Sequence, residues 1–333
     1  MKKINWGILS TGRIAGIFVE GVLKSRTGKL AAVGSRAIVP AWNFAKKYGI
    51  PKAHGTYESL LKDPTVDAVY IATPHPMHVE WVLKAAKAGK HILCEKPLGM
   101  NFYEAKRMIE AVKKNHVFFM EAFMYRCHPQ TRKLVQLIQS GLIGEVRLIE
   151  ASFCFNNPVD PKHRLFNKKL GGGGILDIGC YPASFARLVA GAAHGKLFLD
   201  PIQTKSFIHK GKTGVDEWAI AVLKFKGDIL AEISCATRAQ KDNTARICGS
   251  KGTLTIERPW FASWGPGKSK ITFQKNWNQP KKDIWVKSDR GLYALEADEV
   301  GECIQKGLKQ SPVMSWGDCL GNAKVLNEWK KQI

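Results

Sequence analysis

The sequence predicts an α/β protein, with a doubly wound parallel sheet in its first part and a mostly antiparallel sheet in its second. Apolar strand-like runs alternate with helical patterns as far as about residue 120. Segments rich in β-formers and joined by glycine turns dominate after about residue 145. The length of 333 residues is sufficient for two domains that each bury a core.

Five short apolar runs in the first part are predicted strands. They cover residues 3–9, 30–35, 67–73, 91–94 and 117–120. Helical patterns separate them: apolar residues recur at i, i+3, i+4 and i+7 between Met77 and Ala88, and Asn101 is a predicted N-cap with Glu104 three residues later. Strands and helices that alternate at this spacing favour a parallel sheet with helices on both faces.

The turn after the first strand has features of a dinucleotide-binding fingerprint. That fingerprint places Gly, Gly and Gly or Ala at positions that Ser10, Gly12 and Ala15 occupy here, so its first position departs from the pattern. Gly12 would let the backbone of the turn, including Arg13 and Ile14, approach a pyrophosphate at the helix N-terminus. We therefore predict an N-terminal Rossmann domain, with an ordinary strand-to-helix turn as the alternative.

The residues after the second strand indicate which dinucleotide binds. An NAD site usually places an acid there to bind the ribose 2′-hydroxyl. This chain has Ser35 and Arg36 instead. A hydroxyl and a guanidinium suit a 2′-phosphate, which an acid would repel, so we predict NADP(H). The alternative is a surface arginine that binds no ligand.

Polar residues also follow the next two predicted strands. The segment Thr73–His78 follows the third strand, and Glu95–Pro97 follows the fourth. Because ligands bind at the carboxyl ends of parallel strands, both segments are candidates for a binding site. A zinc site that uses His75 and His78 with Cys94 is an alternative. Pro76 interrupts the face that the two histidines share and no fourth ligand is obvious, so no metal is expected.

The second part of the chain has the pattern of an antiparallel sheet. Its β-rich segments cover residues 145–155, 217–225 and 228–237, and two tight turns contain glycine at Gly227 and at Gly249–Gly252. Two helices are predicted over 293–308 and 316–331, and residues 264–279 are a predicted mobile loop. An open sheet needs a cover on its second face, and a partner subunit would provide one.

A glycine-rich stretch in the second part carries an acid and a phenol. Four glycines, Gly171–Gly174, precede Asp177 and Tyr181, which lie four residues apart and would share a helix face. Together an acid and a phenol can bind a substrate oxygen and exchange a proton with it. In the alternative interpretation Asp177 caps a helix and Tyr181 packs at a domain boundary.

Composition excludes several other classes of protein. The formal charge is +23, but the lysines are spread over the chain and no nucleic-acid-binding motif is visible, so no nucleic acid partner is expected. No apolar run is long enough to cross a bilayer. The eight cysteines are scattered without a Cys-x-x-Cys pair, which is typical of reduced thiols in a cytoplasmic protein.

Taken together, these motifs resemble the Gfo/Idh/MocA oxidoreductase family. Besides the first turn, the resemblance includes Thr73-Pro74 with His75 and His78, Glu95-Lys96-Pro97, Glu121 to Arg126, Gly-Gly-x-x-x-Asp-x-Gly, and residues 249–254. It extends over nearly the whole chain. The chain looks most similar to the NADP-dependent branch that includes dimeric dihydrodiol dehydrogenase and D-xylose dehydrogenase.

The resemblance implies a dinucleotide-binding Rossmann domain over 1–122 and a substrate-binding and oligomerisation domain over 123–333, with C-terminal helices that can pack back on the first. It implies a homodimer or homotetramer assembled through a large open sheet. Residues implied in NADP(H) binding are Ser10, Gly12, Arg13, Ile14, Ser35, Arg36, Thr73, Pro74, His75, His78, Glu95, Lys96 and Arg126.

The implied reaction is hydride transfer between nicotinamide C4 and a hydroxyl or carbonyl carbon of a sugar, polyol or trans-dihydrodiol. Tyr181 is the preferred acid/base, with its pKa lowered by Lys96, and Lys96 itself is the rival proton donor. Asp177 would orient the substrate, and His163 and Arg164 would line its pocket. The alternatives are a glycoside-cleaving NAD(P)-dependent member of the family and a non-enzymatic NADP-sensing protein.

Overall fold

The first 127 residues form alternating strands and helices. The computed structural model describes residues 2–331. The bounds in this part are β1 (Ile4–Leu9), α1 (Arg13–Leu23), β2 (Gly28–Gly34), α2 (Ile38–Tyr48), β3 (Lys52–His54), α3 (Tyr57–Leu61), β4 (Ala68–Ile71), α4 (His78–Lys87), β5 (His91–Glu95), α5 (Phe102–Lys114) and β6 (Phe119–Ala122). The Asn101 side chain caps α5 as predicted, by accepting a hydrogen bond of 3.0 Å from the Glu104 amide.

The second part begins with a helix and continues mainly as strands. Its bounds are α6 (Pro129–Gln139), β7 (Val146–Cys154), α7 (Cys180–Ala193), β8 (Gln203–Lys210), β9 (Asp216–Lys224), β10 (Leu230–Ala236), β11 (Ala245–Gly249), β12 (Gly252–Ile256), β13 (Gly267–Gln274), β14 (Lys282–Ser288), α8 (Leu292–Gln305) and α9 (Trp316–Lys330). A π-helical turn, Ile175–Gly179, precedes α7 directly.

The first sheet is fully parallel, in the order β3-β2-β1-β4-β5-β6. The predicted doubly wound class is therefore confirmed. The short edge strand β3 was not predicted, because its three residues, Lys52–His54, carry no apolar run. The last strand begins two residues later than predicted, at Phe119.

Large side chains fill the core under the first sheet. The rings of Phe18 and Tyr70 stack with centroids 3.8 Å apart, and Trp6 meets Phe18 edge-on at 5.1 Å. α8 packs on α1 at Gly21, where an added Cβ would lie 2.6 Å from the Cβ of Tyr293. The absence of a side chain at Gly21 therefore allows the two helices to approach closely.

The second sheet has eight strands in the order β14-β13-β12-β11-β7-β10-β9-β8. Within this second sheet, only the β7–β10 pair is parallel among the described strands, so the predicted open, mostly antiparallel sheet is confirmed. Both predicted glycine hairpins are present, between β9 and β10 and between β11 and β12. The mobile loop predicted at 264–279 is wrong, because β13 lies there, paired on both sides and with Ile271 fully buried.

One face of the second sheet carries helices and the other exposes apolar side chains. α7 contacts β7 and β10, and α6 contacts β13 and β14. On the opposite face alternate residues of β9, Trp218, Ile220 and Val222, are each about half exposed, and Phe207 of β8 is 89% exposed. We call these four residues the apolar sheet face.

The chain divides into two compact units. Unit 1 comprises Met1–Cys127 and Arg290–Cys319, and unit 2 comprises His128–Asp289 and Leu320–Ile333. α8 thus belongs to the unit that contains the parallel sheet. Within the described part of the chain, no helix has the length and apolar character needed to span a membrane.

Candidate active site

The carboxyl ends of four parallel strands in unit 1 bring predicted residues to one edge of the sheet. β1 ends before Ser10, β2 before Ser35, β4 before Thr73 and β5 before Lys96. The strand order reverses its direction between β1 and β4, which is the crevice where open α/β sheets bind dinucleotides. Each of these four residues lies at that edge, as expected.

The turn between β1 and α1 leaves the helix N-terminus open. Ser10 has a φ of 111°, a conformation that glycine usually supplies at this fingerprint position, and its hydroxyl accepts a 3.3 Å hydrogen bond from the Gly12 amide. A Cβ at Gly12 would meet no atom nearer than that hydroxyl, at 3.5 Å. The first turn of α1 has no acidic residue. The N-terminus of α1 therefore fits an anionic phosphate group.

At the end of β2 Arg36 is exposed to solvent, whereas Ser35 is buried. Tyr57, which was not predicted, lies beside them. Burial raises the pKa of Tyr57, and the nearby Arg36 charge and a hydrogen bond with Ser10 act in the opposite direction. Tyr57 therefore lies beside both the phosphate turn and Arg36, a contact that no local sequence pattern indicates.

His78 joins two backbone segments at the same edge. Its ring is fully buried, with Nε2 2.9 Å from the carbonyl oxygen of Thr73 and Nδ1 3.0 Å from that of Pro97. Burial lowers the pKa of His78 to about 4, so the neutral ring donates to one carbonyl at a time. Both nitrogens face protein backbone, which does not favour the zinc alternative. Within residues 2–331 no cluster of three or more candidate ligands could hold a metal ion.

Two other predicted residues of this segment, His75 and Thr73, lie next to His78. His75 belongs to a 3₁₀ turn that follows Pro74, and its ring meets the His78 ring edge-on at 5.8 Å. The Thr73 hydroxyl is buried and has no hydrogen-bond partner among the described residues. A buried hydroxyl without a partner is costly. Thr73 therefore fits a ligand that would supply the missing hydrogen bond.

The end of β5 is anchored by carboxylates. Glu95 is buried, accepts a hydrogen bond from the Tyr70 hydroxyl and accepts another of 3.2 Å from the Lys96 amide. The Glu121 carboxylate accepts a 2.8 Å bond from the Leu98 amide. Lys96 itself is half-buried. These bonds fix the backbone on both sides of Lys96.

A second buried carboxyl group lies near Glu95 and was not predicted. Glu296 of α8 is fully buried, and neither of its carboxyl oxygens has a hydrogen-bond partner among the described residues. Burial, with the nearby Glu95 charge, raises the pKa of Glu296 well above its ordinary value. The pKa values of Tyr70 and Tyr293, which are close to both carboxyl groups, are raised for the same reasons. The helix is distant in sequence, so no local motif indicates this cluster.

The side chain of Arg126, a predicted cofactor residue, binds other residues of unit 1. Its guanidinium is buried, forms an ion pair with Asp318 and donates a 3.1 Å hydrogen bond to the Val313 carbonyl. The Asp318 charge raises the pKa of Arg126 against the effect of burial. Its side chain therefore fastens the start of α9 to the segment after β6.

In unit 2 the glycine turn, Gly171–Gly174, leads into the segment that carries the acid and the phenol. Asp177 lies in the π-helical turn and Tyr181 in the first turn of α7, and both are buried. The Asp177 carboxylate accepts a 3.0 Å hydrogen bond from Arg164, so two predicted substrate residues meet. His163 is exposed and caps its own 3₁₀ turn through the Leu165 amide at 3.2 Å.

Aromatic rings that were not predicted as site residues surround Tyr181. The Tyr181 ring lies 5.3 Å from Phe153 and 5.7 Å from Trp260. The Trp260 indole is fixed by a 3.0 Å hydrogen bond to the Ser152 carbonyl. Phe261 also contacts Phe153, edge-on at 5.7 Å. These rings come from β7 and from the segment before β13, which only the fold brings together.

Comparison with known proteins agrees with this geometry. Residues 4–123 match the oxidoreductase family model with an NAD-binding Rossmann fold, and residues 131–255 match the Gfo/Idh/MocA C-terminal domain model. The chain belongs to the Gfo/Idh/MocA oxidoreductase family. The resemblance inferred from the motifs is thereby confirmed, and the NAD(P)-binding Rossmann fold and oxidoreductase class follow from it.

Relatives in this Gfo/Idh/MocA family match almost end to end. The chain is 36% identical over 332 residues to trans-1,2-dihydrobenzene-1,2-diol dehydrogenase of Xenopus laevis, covering 98% of this chain and 97% of that protein. The human protein of the same name is 33% identical over 335 residues, covering 99% and 97%. These curated relatives are dehydrogenases, which supports an enzyme that acts on CH–OH groups.

Solved structures share the fold of this Gfo/Idh/MocA protein. Aldose-aldose oxidoreductase from Caulobacter crescentus, complexed with glycerol, has a TM-score of 0.88 at 24% identity, covering 99% of this chain and 97% of that chain. A 3-ketoreductase from Actinomadura kijaniata with NADP has a TM-score of 0.83 at 24% identity, covering 99% and 98%. Levoglucosan dehydrogenase with NADH has a TM-score of 0.85 at 20% identity, covering 99% and 97%. The fold thus accompanies either cofactor.

Proposed function

We propose that this protein is an NADP(H)-dependent dehydrogenase that transfers a hydride between the cofactor and a hydroxyl or carbonyl carbon of a trans-dihydrodiol, sugar or polyol. The observation that carries the proposal is the end-to-end likeness to relatives named trans-1,2-dihydrobenzene-1,2-diol dehydrogenase. The rings of Phe153 and Trp260 beside Tyr181 support this choice, because apolar surfaces suit a carbocyclic diol and the apolar face of a sugar.

The residues at the cofactor edge of unit 1 fit a dinucleotide with a 2′-phosphate. The open N-terminus of α1 at Gly12 would bind the pyrophosphate, and the Thr73 hydroxyl lacks a partner that a ligand would supply. Arg36 is exposed directly after β2, where its charge would attract the phosphate. When bound, the nicotinamide supplies or accepts the hydride.

The chain's own residues would manage the proton and the orientation of the substrate. Tyr181 is the proposed acid/base at the substrate oxygen, and Lys96 is the second candidate for that proton. The rings around Tyr181 exclude water from it. Asp177, paired with Arg164, would accept a hydrogen bond from a substrate hydroxyl and so fix which carbon reacts.

The cofactor assignment is tested by reversing the charge at Arg36. We expect Arg36→Asp to raise the Kd of NADPH at least about tenfold more than that of NADH, because only NADPH carries the 2′-phosphate. Lys29→Asp is the matched control: it makes the same charge change at the other end of β2, where Lys29 is exposed. If Arg36→Asp raises the Kd of NADPH and of NADH by the same factor, the NADP(H) assignment is contradicted.

The reaction is tested by NADP⁺ reduction with trans-1,2-dihydrobenzene-1,2-diol, D-xylose and inositols. Lys96→Met and Tyr181→Phe should each reduce kcat strongly while the Kd of NADPH stays near the parent value. A variant that keeps the parent kcat is not the proton donor. No turnover with any of these alcohols would contradict the proposed reaction.

The proposed oligomer is a homodimer or homotetramer that buries the apolar sheet face. Exposed tryptophan and phenylalanine side chains on one contiguous sheet face favour a covered surface. We also propose a cytoplasmic location, since seven of the eight cysteines are buried and all are free thiols.

A further inference from the structure

The helical segment that carries Asp177 begins without a capping side chain of its own. The residue before the π-helical turn is Gly174, which has no side chain to accept a hydrogen bond from the first amides. A carboxylate from β9 takes this role. The Asp216 Oδ2 atom accepts a hydrogen bond of 2.6 Å from the Ile175 amide, and the Gly174 amide also donates to this carboxylate.

The glycine turn is shaped around this carboxylate. Gly173 has a φ of 113°, and an added Cβ would lie 2.2 Å from Asp216 Oδ1. An added Cβ at Gly172 would lie 2.7 Å from the carbonyl oxygen of Arg164, the residue that pairs with Asp177. Asp216 therefore packs against the glycine turn, and the glycine turn packs against the Arg164 segment.

The surroundings of Asp216 explain how a buried charge is tolerated there. The residue is 5% exposed, and burial raises its pKa to about 6. The amides of Gly174 and Ile175 and the Lys330 charge act against that rise, and the Cys235 thiol is the other titratable group that faces it. The carboxylate is therefore mostly ionised at pH 7, where it interacts favourably with a helix N-terminus.

We infer that Asp216 is a positioning residue, which fixes the start of the helical segment so that Asp177 faces Arg164 in the geometry the reaction needs. The inference rests on the proposed function, because it gives Asp216 a role only through Asp177. The link is short: the Asp177 amide donates a 3.3 Å hydrogen bond to the Gly173 carbonyl, next to the amides that Asp216 binds. Loss of the carboxylate would free the turn that determines where Asp177 lies.

A double-mutant cycle tests this inference. We expect Asp216→Ala to reduce kcat/KM for trans-1,2-dihydrobenzene-1,2-diol about tenfold or more, since a small misplacement of an orienting group is costly. Asp216→Asn keeps one acceptor oxygen, so its kcat/KM should fall less than that of Asp216→Ala. In a protein that already carries Asp177→Asn, adding Asp216→Ala should reduce kcat/KM by less than about threefold, because the two residues act as one unit.

A stability control separates positioning from general damage. Leu254→Ala removes a fully buried side chain from β12 of the same unit and should lower Tm while leaving kcat/KM near the parent value. If Asp216→Ala reduces kcat/KM by the same factor in the parent and in Asp177→Asn, the inference is overturned and the proposed function is left intact. If Asp177→Asn alone has no effect, both the role of Asp177 and the inference are wrong.

Hydrogen exchange provides a readout that needs no substrate. In the full-length parent protein, the amides of residues 174–177 should be protected, and Asp216→Asn should weaken that protection while the strands of the sheet keep theirs. If Asp216→Ala does not fold, the Asp216→Asn variant carries both measurements. Unchanged exchange in residues 174–177 would also overturn the inference.

Discussion

Glu296→Gln should change the pH dependence of stability in a way that reveals where a buried proton lies. Glu296 is fully buried, close to the Glu95 charge, and its two carboxyl oxygens have no hydrogen-bond partner among the described residues. Because its pKa is raised well above the ordinary 4.5, the folded protein keeps the proton that the unfolded chain loses. Glutamine has nearly the same shape and no proton to lose.

The sign and the size of the effect follow from proton linkage. A raised pKa in the folded state contributes stability that is complete below the ordinary pKa and is lost as the pH rises toward the folded value. Each pH unit in that range removes about 1.4 kcal/mol from the free energy of unfolding. From pH 5 upward the parent should therefore lose stability relative to Glu296→Gln, at a slope that approaches about 1.4 kcal/mol per pH unit.

The assay is guanidinium unfolding at pH 5, 6 and 7 and constant ionic strength, followed by tryptophan fluorescence. Glu302→Gln is the matched control, since Glu302 lies on the same helix with an exposed side chain, and its curve should run parallel to that of the parent. Infrared spectra at pH 5 should contain a protonated carboxyl band that Glu296→Gln lacks. Parallel stability curves for the parent and Glu296→Gln, together with no such band, would show that Glu296 does not hold a buried proton.

Three further predictions concern other parts of the structure. Arg126→Met leaves the buried Asp318 carboxylate without its partner and should cost about 3–5 kcal/mol in the free energy of unfolding, measured with denaturant; a loss below 1 kcal/mol would be inconsistent with a buried ion pair. Gly173→Ala should lower Tm more than Gly195→Ala, because both glycines have a positive φ but only a Cβ at Gly173 would meet a neighbour, Asp216. Equal shifts in Tm would contradict the contact between Gly173 and Asp216. If the proposed oligomer forms, Phe207→Asp should shift it toward monomer in light scattering, and an unchanged mass would exclude the apolar sheet face as the interface.

Local patterns in the sequence were sufficient for most of the fold. Strand and helix periodicity predicted the parallel sheet, and glycine turns predicted the two hairpins, because these features depend on residues close together in the chain. The same reasoning failed for β3, which is too short to carry a pattern. It also failed for β13, where tryptophans, lysines and glycines resemble a loop and the pairing with β12 and β14 decides the structure.

The sequence was sufficient to predict the family, the two-sheet architecture and the edge where a dinucleotide would bind, since each depends on motifs a few residues long. It also supplied the acid, the phenol and the lysine as candidates. The tertiary structure determines what surrounds these three residues. It placed Asp216 under the glycine turn, Arg164 on Asp177 and Glu296 close to Glu95. The physical reason is that burial and charge depend on neighbours that are distant in the chain, and these neighbours meet only when the core has formed.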